Sequence, residues 1–161
     1  TSDFTIESWI YIVSSSDSYG RIIENGAYNT NNTWRINYNN TASSLIFQIG
    51  NTSTRPQIIT TTSLQGAWHH IAVCRSGNTI KFFVDGTQEG GDLSYSGSLV
   101  APTQVGEIWI GAGVSDSSSS SPANYFNGYI ENLQVLKGVA KYTANFTPPT
   151  STQGISYQAE S

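Results

Sequence analysis

The stretch Trp68-His69-His70-Ile71-Ala72-Val73-Cys74-Arg75, followed after a short break by Ile80-Lys81-Phe82-Phe83-Val84-Asp85-Gly86-Thr87, decides the fold of this chain. Both runs are short, rich in β-branched and aromatic residues, and bounded by turn formers, which is how strands read. Asp85-Gly86 closes the second run. A type I′ hairpin turn needs positive φ at both central positions, and these two residue types tolerate it. Trp68, Ile71 and Val73 are expected to form core with Phe82 and Val84 across the hairpin.

Outward from this hairpin, short period-2 runs dominate and no segment sustains a helical 3.6 period. Strands are predicted at Phe4–Val13, Arg21–Glu24, Thr33–Tyr38, Leu45–Gly50, Gln57–Thr61, Ala67–Arg75, Thr79–Val84, Glu107–Gly111 and Gly128–Leu136. Asn, Gly, Ser and Pro clusters separate them closely, as in an all-β sandwich or barrel. In the first strand Phe4, Ile6, Ser8, Ile10 and Ile12 share one face, and Thr5, Glu7, Trp9 and Tyr11 the other. Large side chains on both faces imply an inner strand covered on both sides. Alternation cannot bring Ile130, Leu133 and Val135 together in the last strand without a bulge near Glu131-Asn132. Lys137–Tyr142 is the one helix candidate. The run from Ser115 to Pro122 reads as a surface loop, and 151–161 as a tail.

Charged residues make up 11% of the 161 residues, against about 25% in an average soluble protein. Ser, Thr and Asn supply the polarity instead. A formal charge of −4 with seven scattered Lys and Arg residues argues against a nucleic-acid partner, which needs clustered cations. No apolar run is long enough for a membrane span, and no charged-then-apolar segment opens the chain. Cys74, the sole cysteine, excludes an intrachain disulfide and reads as a small buried hydrophobe. The chain holds no Met and opens inside a strand signature, so Thr1 is expected to follow processing or to begin a domain of something longer.

Three segments carry a family resemblance: the hairpin, Asp3 to Tyr11, and Tyr125 to Val135 with Lys137 to Thr143. Over roughly residues 3–150 they resemble the laminin-G-like, or concanavalin A-like lectin/glucanase, superfamily. The ending Gly138-Val139-Ala140-Lys141-Tyr142 to Phe146-Thr147-Pro148-Pro149-Thr150 is similar to versions found in bacteriophage tail and virion proteins. The resemblance implies one antiparallel two-sheet β-sandwich of jelly-roll type over 1–150. Its implied function is a non-catalytic module on a virion surface, in a tail fibre, spike or capsid ornament, that recognises cell-surface carbohydrate. Such a module would be multimeric through its parent assembly. The rival is a purely structural decoration or assembly domain that binds other virion proteins; a glycoside hydrolase comes third.

Hydrolysis needs two carboxyl groups about 5–9.5 Å apart. Relatives place them along one strand as Glu-x-Asp-x-x-Glu, and here no acid stands two residues from another. Asp3/Glu7 and Asp85/Glu89 have a spacing of four, but one straddles a strand start and the other a turn. His69 and His70 are the only imidazoles. As strand neighbours they point to opposite faces and cannot jointly hold a metal. His70 reads as a packed strand histidine. No cofactor is demanded; Ca²⁺ is the one the resemblance admits, at Asp116 with Asn124 or at Glu24 with Asn25. Solvated loop residues are the competing reading there, since no Asp-x-Asp-x-Asp cluster exists.

The aromatic content is 12%. Most of these rings belong to a sandwich core, but several stand in Asn-rich stretches. Sugar rings stack their C–H faces on aromatics while amides bond hydroxyls, an apolar wall with a few polar groups. On that chemistry the expected site is Trp34, Tyr28 and Tyr38, aided by Asn25 and Asn32, with core packing as the alternative for Trp34.

Overall fold

The structure, a computed structural model, describes residues 2–13, 19–26, 29–50, 53–99, 108–114 and 121–150. Its strands are β1 (Phe4–Ile12), β2 (Tyr19–Glu24), β3 (Trp34–Asn39), β4 (Ser44–Ile49), β5 (Gln57–Ile59), β6 (Trp68–Ser76), β7 (Thr79–Val84), β8 (Thr87–Ser94), β9 (Trp109–Ile110), β10 (Gly113–Val114), β11 (Pro122–Ala123) and β12 (Gly128–Lys137). Two five-stranded sheets face each other, sheet A in the order β12-β1-β6-β7-β8 and sheet B in the order β5-β4-β3-β2-β9. All pairings between these strands are antiparallel. This is the all-β jelly-roll sandwich that the sequence predicts.

Alternation sets the core. Ile6, Ile10 and Ile12 of β1 and Ile71 and Val73 of β6 point inward. So do Phe82 and Val84 of β7, and they meet Ile36, Leu45, Phe47 and Ile49 from sheet B. Trp68 departs from its predicted place. It pairs with Tyr11 on the opposite face of sheet A and stays half-buried. The hairpin closes as predicted, with φ of 48° at Asp85 and 77° at Gly86 and Val84 opposite Thr87.

The strand leaving that turn, β8, is not among those predicted. It is an edge strand with an exposed, polar, Gly-Gly-containing sequence, so burial never imposed an apolar alternation on it. Glu89 ties it to the opposite sheet, accepting hydrogen bonds from the backbone N–H and hydroxyl groups of Thr61 and Thr62. The predicted bulge is present. Glu7 pairs with Gln134 and Trp9 with Glu131, so β12 holds one extra residue there, with Asn132 at φ 52°.

The predicted helix at Lys137–Tyr142 is replaced by an extended strap. A helix that short is marginal in water, whereas here backbone groups that it would use find tertiary partners. Thr5 Oγ1 donates to Val139 O and accepts from Lys141 N, and Phe146 N donates to Gly86 O. Tyr142 and Phe146 stack face to face at 3.5 Å and set their edges against Phe83 and His70. The strap therefore covers the outer face of sheet A and makes a second apolar cluster with Ala72, Cys74 and Phe83. That burial explains why β1 carries large side chains on both faces. Cys74 is buried within it, and burial pushes its thiol up.

The strap also encloses charge. Glu7 is buried with His70 Nε2 at 3.5 Å, and Lys141 reaches down to pair with Glu7. Burial holds the His70 imidazole below the usual histidine range, opposed by the attraction of Glu7 and helped by Lys141, with Asp85 opposing more weakly. The folded state thus favours neutral His70. The unfolded chain binds its proton near pH 6.5, so stability is complete above that pH and declines as pH falls toward the lower folded value. Denaturation midpoints between pH 8 and pH 5 should fall for the wild type, with a slope no steeper than about 1.4 kcal/mol per pH unit from this proton. His70→Gln should flatten that slope; an unchanged slope would remove His70 as its source.

Candidate functional site

Of the aromatic site expected from the sequence, the structure places Trp34 and Tyr38, 8% and 1% exposed, in the core between the sheets. What remains open of Trp34 lines an apolar slot of about 310 Å³ with Phe4, Ile6 and Leu99. Asn25 is buried and its side-chain oxygen accepts from Trp34 N, so it closes a loop. Asn32, at φ 66°, accepts from the Tyr95 hydroxyl. Tyr28 lies outside the described residues. The burial of Trp34 and Tyr38 has a simple physical cause. Trp34 and Tyr38 alternate with Arg35, Asn37 and Asn39 along β3, and only one of these two sets can face the opposing sheet.

The polar set is the one that faces out, and it builds a different site. Across the outer face of sheet B, register places side chains in three parallel rungs. One runs through Trp109, Glu24, Arg35, Gln48 and Gln57; the next through Arg21, Asn37, Ile46 and Ile59; the third through Tyr19, Asn39 and Ser44. A concavity of about 460 Å³ lies over this face, its wall completed by Arg55 and Asn124. Tyr19 and Ile59 stand exposed at its rim.

The floor is a hydrogen-bonded network. Arg35 Nε donates to Gln48 Oε1 at 3.0 Å, its Nη2 donates to the same oxygen, and Gln48 Nε2 donates to Gln57 Oε1 at 2.9 Å. Arg21 Nε donates to Glu24 Oε2 at 3.0 Å, while Glu24 Oε1 accepts from Val114 N. Arg21 and Glu24 are three residues apart and would lie on opposite faces of a regular strand. A register shift between Arg21 and Ile23 inserts Ile22 as a bulge, so Ile22 and Ile23 both enter the core and both polar ends stay outside. Burial lowers the Arg21 guanidinium and raises the Glu24 carboxyl, and each is offset by the charge of the other.

The residues named for other chemistry serve the fold. Both oxygens of Glu24 and the side-chain oxygen of Asn25 have protein donors, so this pair does not suit Ca²⁺, which needs six to eight free oxygen ligands. Asp116 lies outside the described residues. Asn124, at φ 52°, gives its carbonyl to Arg21 N. Among the described residues no three His, Cys, Asp or Glu side chains come together as a metal site. His69 Nδ1 lies 2.7 Å from Asp85 Oδ2, and His70 is packed between Trp9, Tyr142 and Phe146.

An aromatic cluster does reach the surface on the outer face of the other sheet, two of its rings half-buried and one exposed. Tyr11, Trp68 and Tyr129 occupy neighbouring positions on β1, β6 and β12, with ring centroids 5.8–6.3 Å apart, and Tyr129 is 63% exposed. The period-2 signal could have found it, since Tyr11 falls on the outer face of β1 and Trp68 shares a face with His70.

Comparison with known proteins agrees with this architecture. The sequence matches the family model described as the concanavalin A-like lectin/glucanases superfamily over residues 1–141. The chain belongs to that superfamily. Similar solved structures include the Ruminococcus gnavus IT-sialidase CBM40 bound to α2,3 sialyllactose, at 16% identity and TM-score 0.67, covering 84% of this chain and 75% of that one. Mouse laminin α1 chain domains LG4-5 match at 18% identity and TM-score 0.55, covering 83% of this chain and 34% of that one. The carbohydrate binding module CBM66 from Bacillus subtilis matches at 15% and 0.51, covering 84% and 76%. This chain therefore spans about a third of the laminin fragment. No curated protein matches the sequence. At these identities the likeness establishes the fold.

Proposed function

We propose that the chain is a non-catalytic carbohydrate-binding module whose site is the concavity on the outer face of sheet B. The observation that carries this is the composition of its wall. Amide and guanidinium groups stand in register beside the exposed Tyr19 and Ile59, which suits a ligand that is apolar on its ring faces and studded with hydroxyls. Among the described residues that line the depression none is a carboxylic acid, so that lining does not supply the acid and base that hydrolysis requires. That carbohydrate-binding modules share this sandwich supports the reading.

Display on a virion surface, with many copies per particle, is the finer part of the proposal, and the phage-like strap sequence supports it. A shallow site binds a short glycan weakly, and multivalency would raise avidity about 10²–10⁴-fold. A second reading, a structural module packed on another virion protein, is favoured by the cluster of half-buried Tyr11 and Trp68 with exposed Tyr129.

A glycan array probed with multivalent protein tests both. Binding should occur, should be lost in Tyr19→Ala with Gln57→Ala, and should survive Tyr129→Ala. Loss in Tyr129→Ala alone would move the site to sheet A. Absence of glycan binding, with docking onto a virion protein that Tyr129→Ala abolishes, would establish the structural reading.

A further inference from the structure

Resting on the carbohydrate reading above, we infer that Glu24 is a positioning residue of the sheet B concavity. It does not meet the sugar; it holds Arg21, and through Arg21 the rim ring of Tyr19, in the arrangement that binds. Arg21, Tyr19 and Asn124 line the depression, and Glu24 does not. Glu24 is 0% exposed, so it acts on a ligand only through the side chains it touches.

Three contacts of different kinds build this relay. Glu24 Oε2 accepts from Arg21 Nε at 3.0 Å, which takes one edge of the guanidinium and so fixes the plane of the rigid fork. Arg21 Cζ stands over the Tyr19 ring, 6.0 Å from its centroid. That is a cation–π distance, so the plane that Glu24 holds also sets the 41% exposed ring at the rim. The other oxygen, Oε1, accepts from Val114 N at 2.6 Å, and Val114 pairs with Pro122 in the β10–β11 ribbon. The chain leaving that ribbon reaches Asn124, whose carbonyl accepts from Arg21 N at 2.9 Å. Floor, rim and wall of the depression converge on one carboxylate.

Neutralising Arg21 asks only for negative charge near it; fixing its direction asks for a carboxylate that cannot swing. Both oxygens of Glu24 are committed to donors on different elements, and the space they occupy is reserved. A Cβ at Gly113 would collide with Cδ and both oxygens of Glu24. The φ of Gly113 lies outside the left-handed region, so glycine serves there for room and not for backbone freedom. An arginine held before the ligand arrives spares the ordering cost that a loose side chain pays on binding, which is what a supporting shell contributes to a site.

A glycan array probed with multivalent protein, then an affinity titration with the array's strongest-bound glycan, tests this beside the NMR signal of the Arg21 Nε–H. Glu24→Gln keeps an oxygen for Val114 N and turns an amide NH2 on Arg21 Nε, donor against donor. Affinity should fall about tenfold or more, the worth of one hydrogen bond to a charged group, and the Arg21 signal should move. Gly113→Ala, which does not line the depression, should lower affinity in the same direction. The backbone amide signals of Ile36 and Phe47 in the core should stay in place. This variant is also the arm that remains if Glu24→Gln fails to fold. Losses in Glu24→Gln and Arg21→Gln should not add, because both remove the same held guanidinium. Unchanged affinity in Gly113→Ala, or additive losses in the double variant, would overturn the positioning role and leave the carbohydrate reading standing. Affinity lost only together with displaced core signals would overturn it in favour of a structural ion pair. Absence of glycan binding by the folded wild type would overturn both readings.

Discussion

Replacing Phe82 with alanine should lower the free energy of unfolding by about 3–5 kcal/mol. Phe82 is fully buried, opposite Val73 in register, and lies in the cluster that joins the two sheets. Truncation removes the transfer free energy of the ring and leaves a cavity between sheets that hydrogen bonding keeps from collapsing. A domain of this size is stable by only about 5–15 kcal/mol, so the variant should stand near the limit of folding. Urea denaturation measures the effect. A loss below about 1 kcal/mol would show that the sandwich closes over the gap and that this hairpin is not central to the core.

Gly86→Ala should cost about 3–5 kcal/mol for a different reason. Gly86 has φ 77°, but steric contact matters more: a Cβ there would stand 1.9 Å from the carbonyl oxygen of Phe146. Either the turn distorts or the strap lifts, and lifting uncovers Phe83, Ala72 and Cys74. Gly77 is the control, since it has φ 59° and open space around its would-be Cβ. Gly77→Ala should show the backbone cost alone, about 1 kcal/mol. Thiol labelling under native conditions gives a second readout, with Cys74 protected in the wild type and in Gly77→Ala but modified quickly in Gly86→Ala. Equal melting temperatures for the two glycine variants, with Cys74 protected in both, would show that the strap does not depend on this contact.

Local pattern carried the strands, the Asp85-Gly86 turn, the bulge in β12 and the burial of Cys74, because period-2 alternation and turn chemistry are set by neighbours in the chain. Strand β8 escaped because an exposed edge has no burial pattern to reveal it. The strap escaped because its partners, Thr5, Phe83 and Gly86, are far away in sequence.

The site shows the division most clearly. Alternation along β3 already stated that Trp34, Ile36 and Tyr38 share one face and Arg35, Asn37 and Asn39 the other. Sequence alone could not say which face would look at water, because both sets contain groups able to hold a sugar. The packing of sheet A against sheet B decided it, since burying the aromatic set removes far more apolar surface from water than burying the arginines and amides could. Tertiary structure likewise brought Arg21 and Glu24 onto one face through the Ile22 bulge and set Arg21 and Asn37 in one rung beside the rung that holds Gln57. The sequence determined two faces and their chemistry; only the docking of the sheets made one of them a core and the other a site.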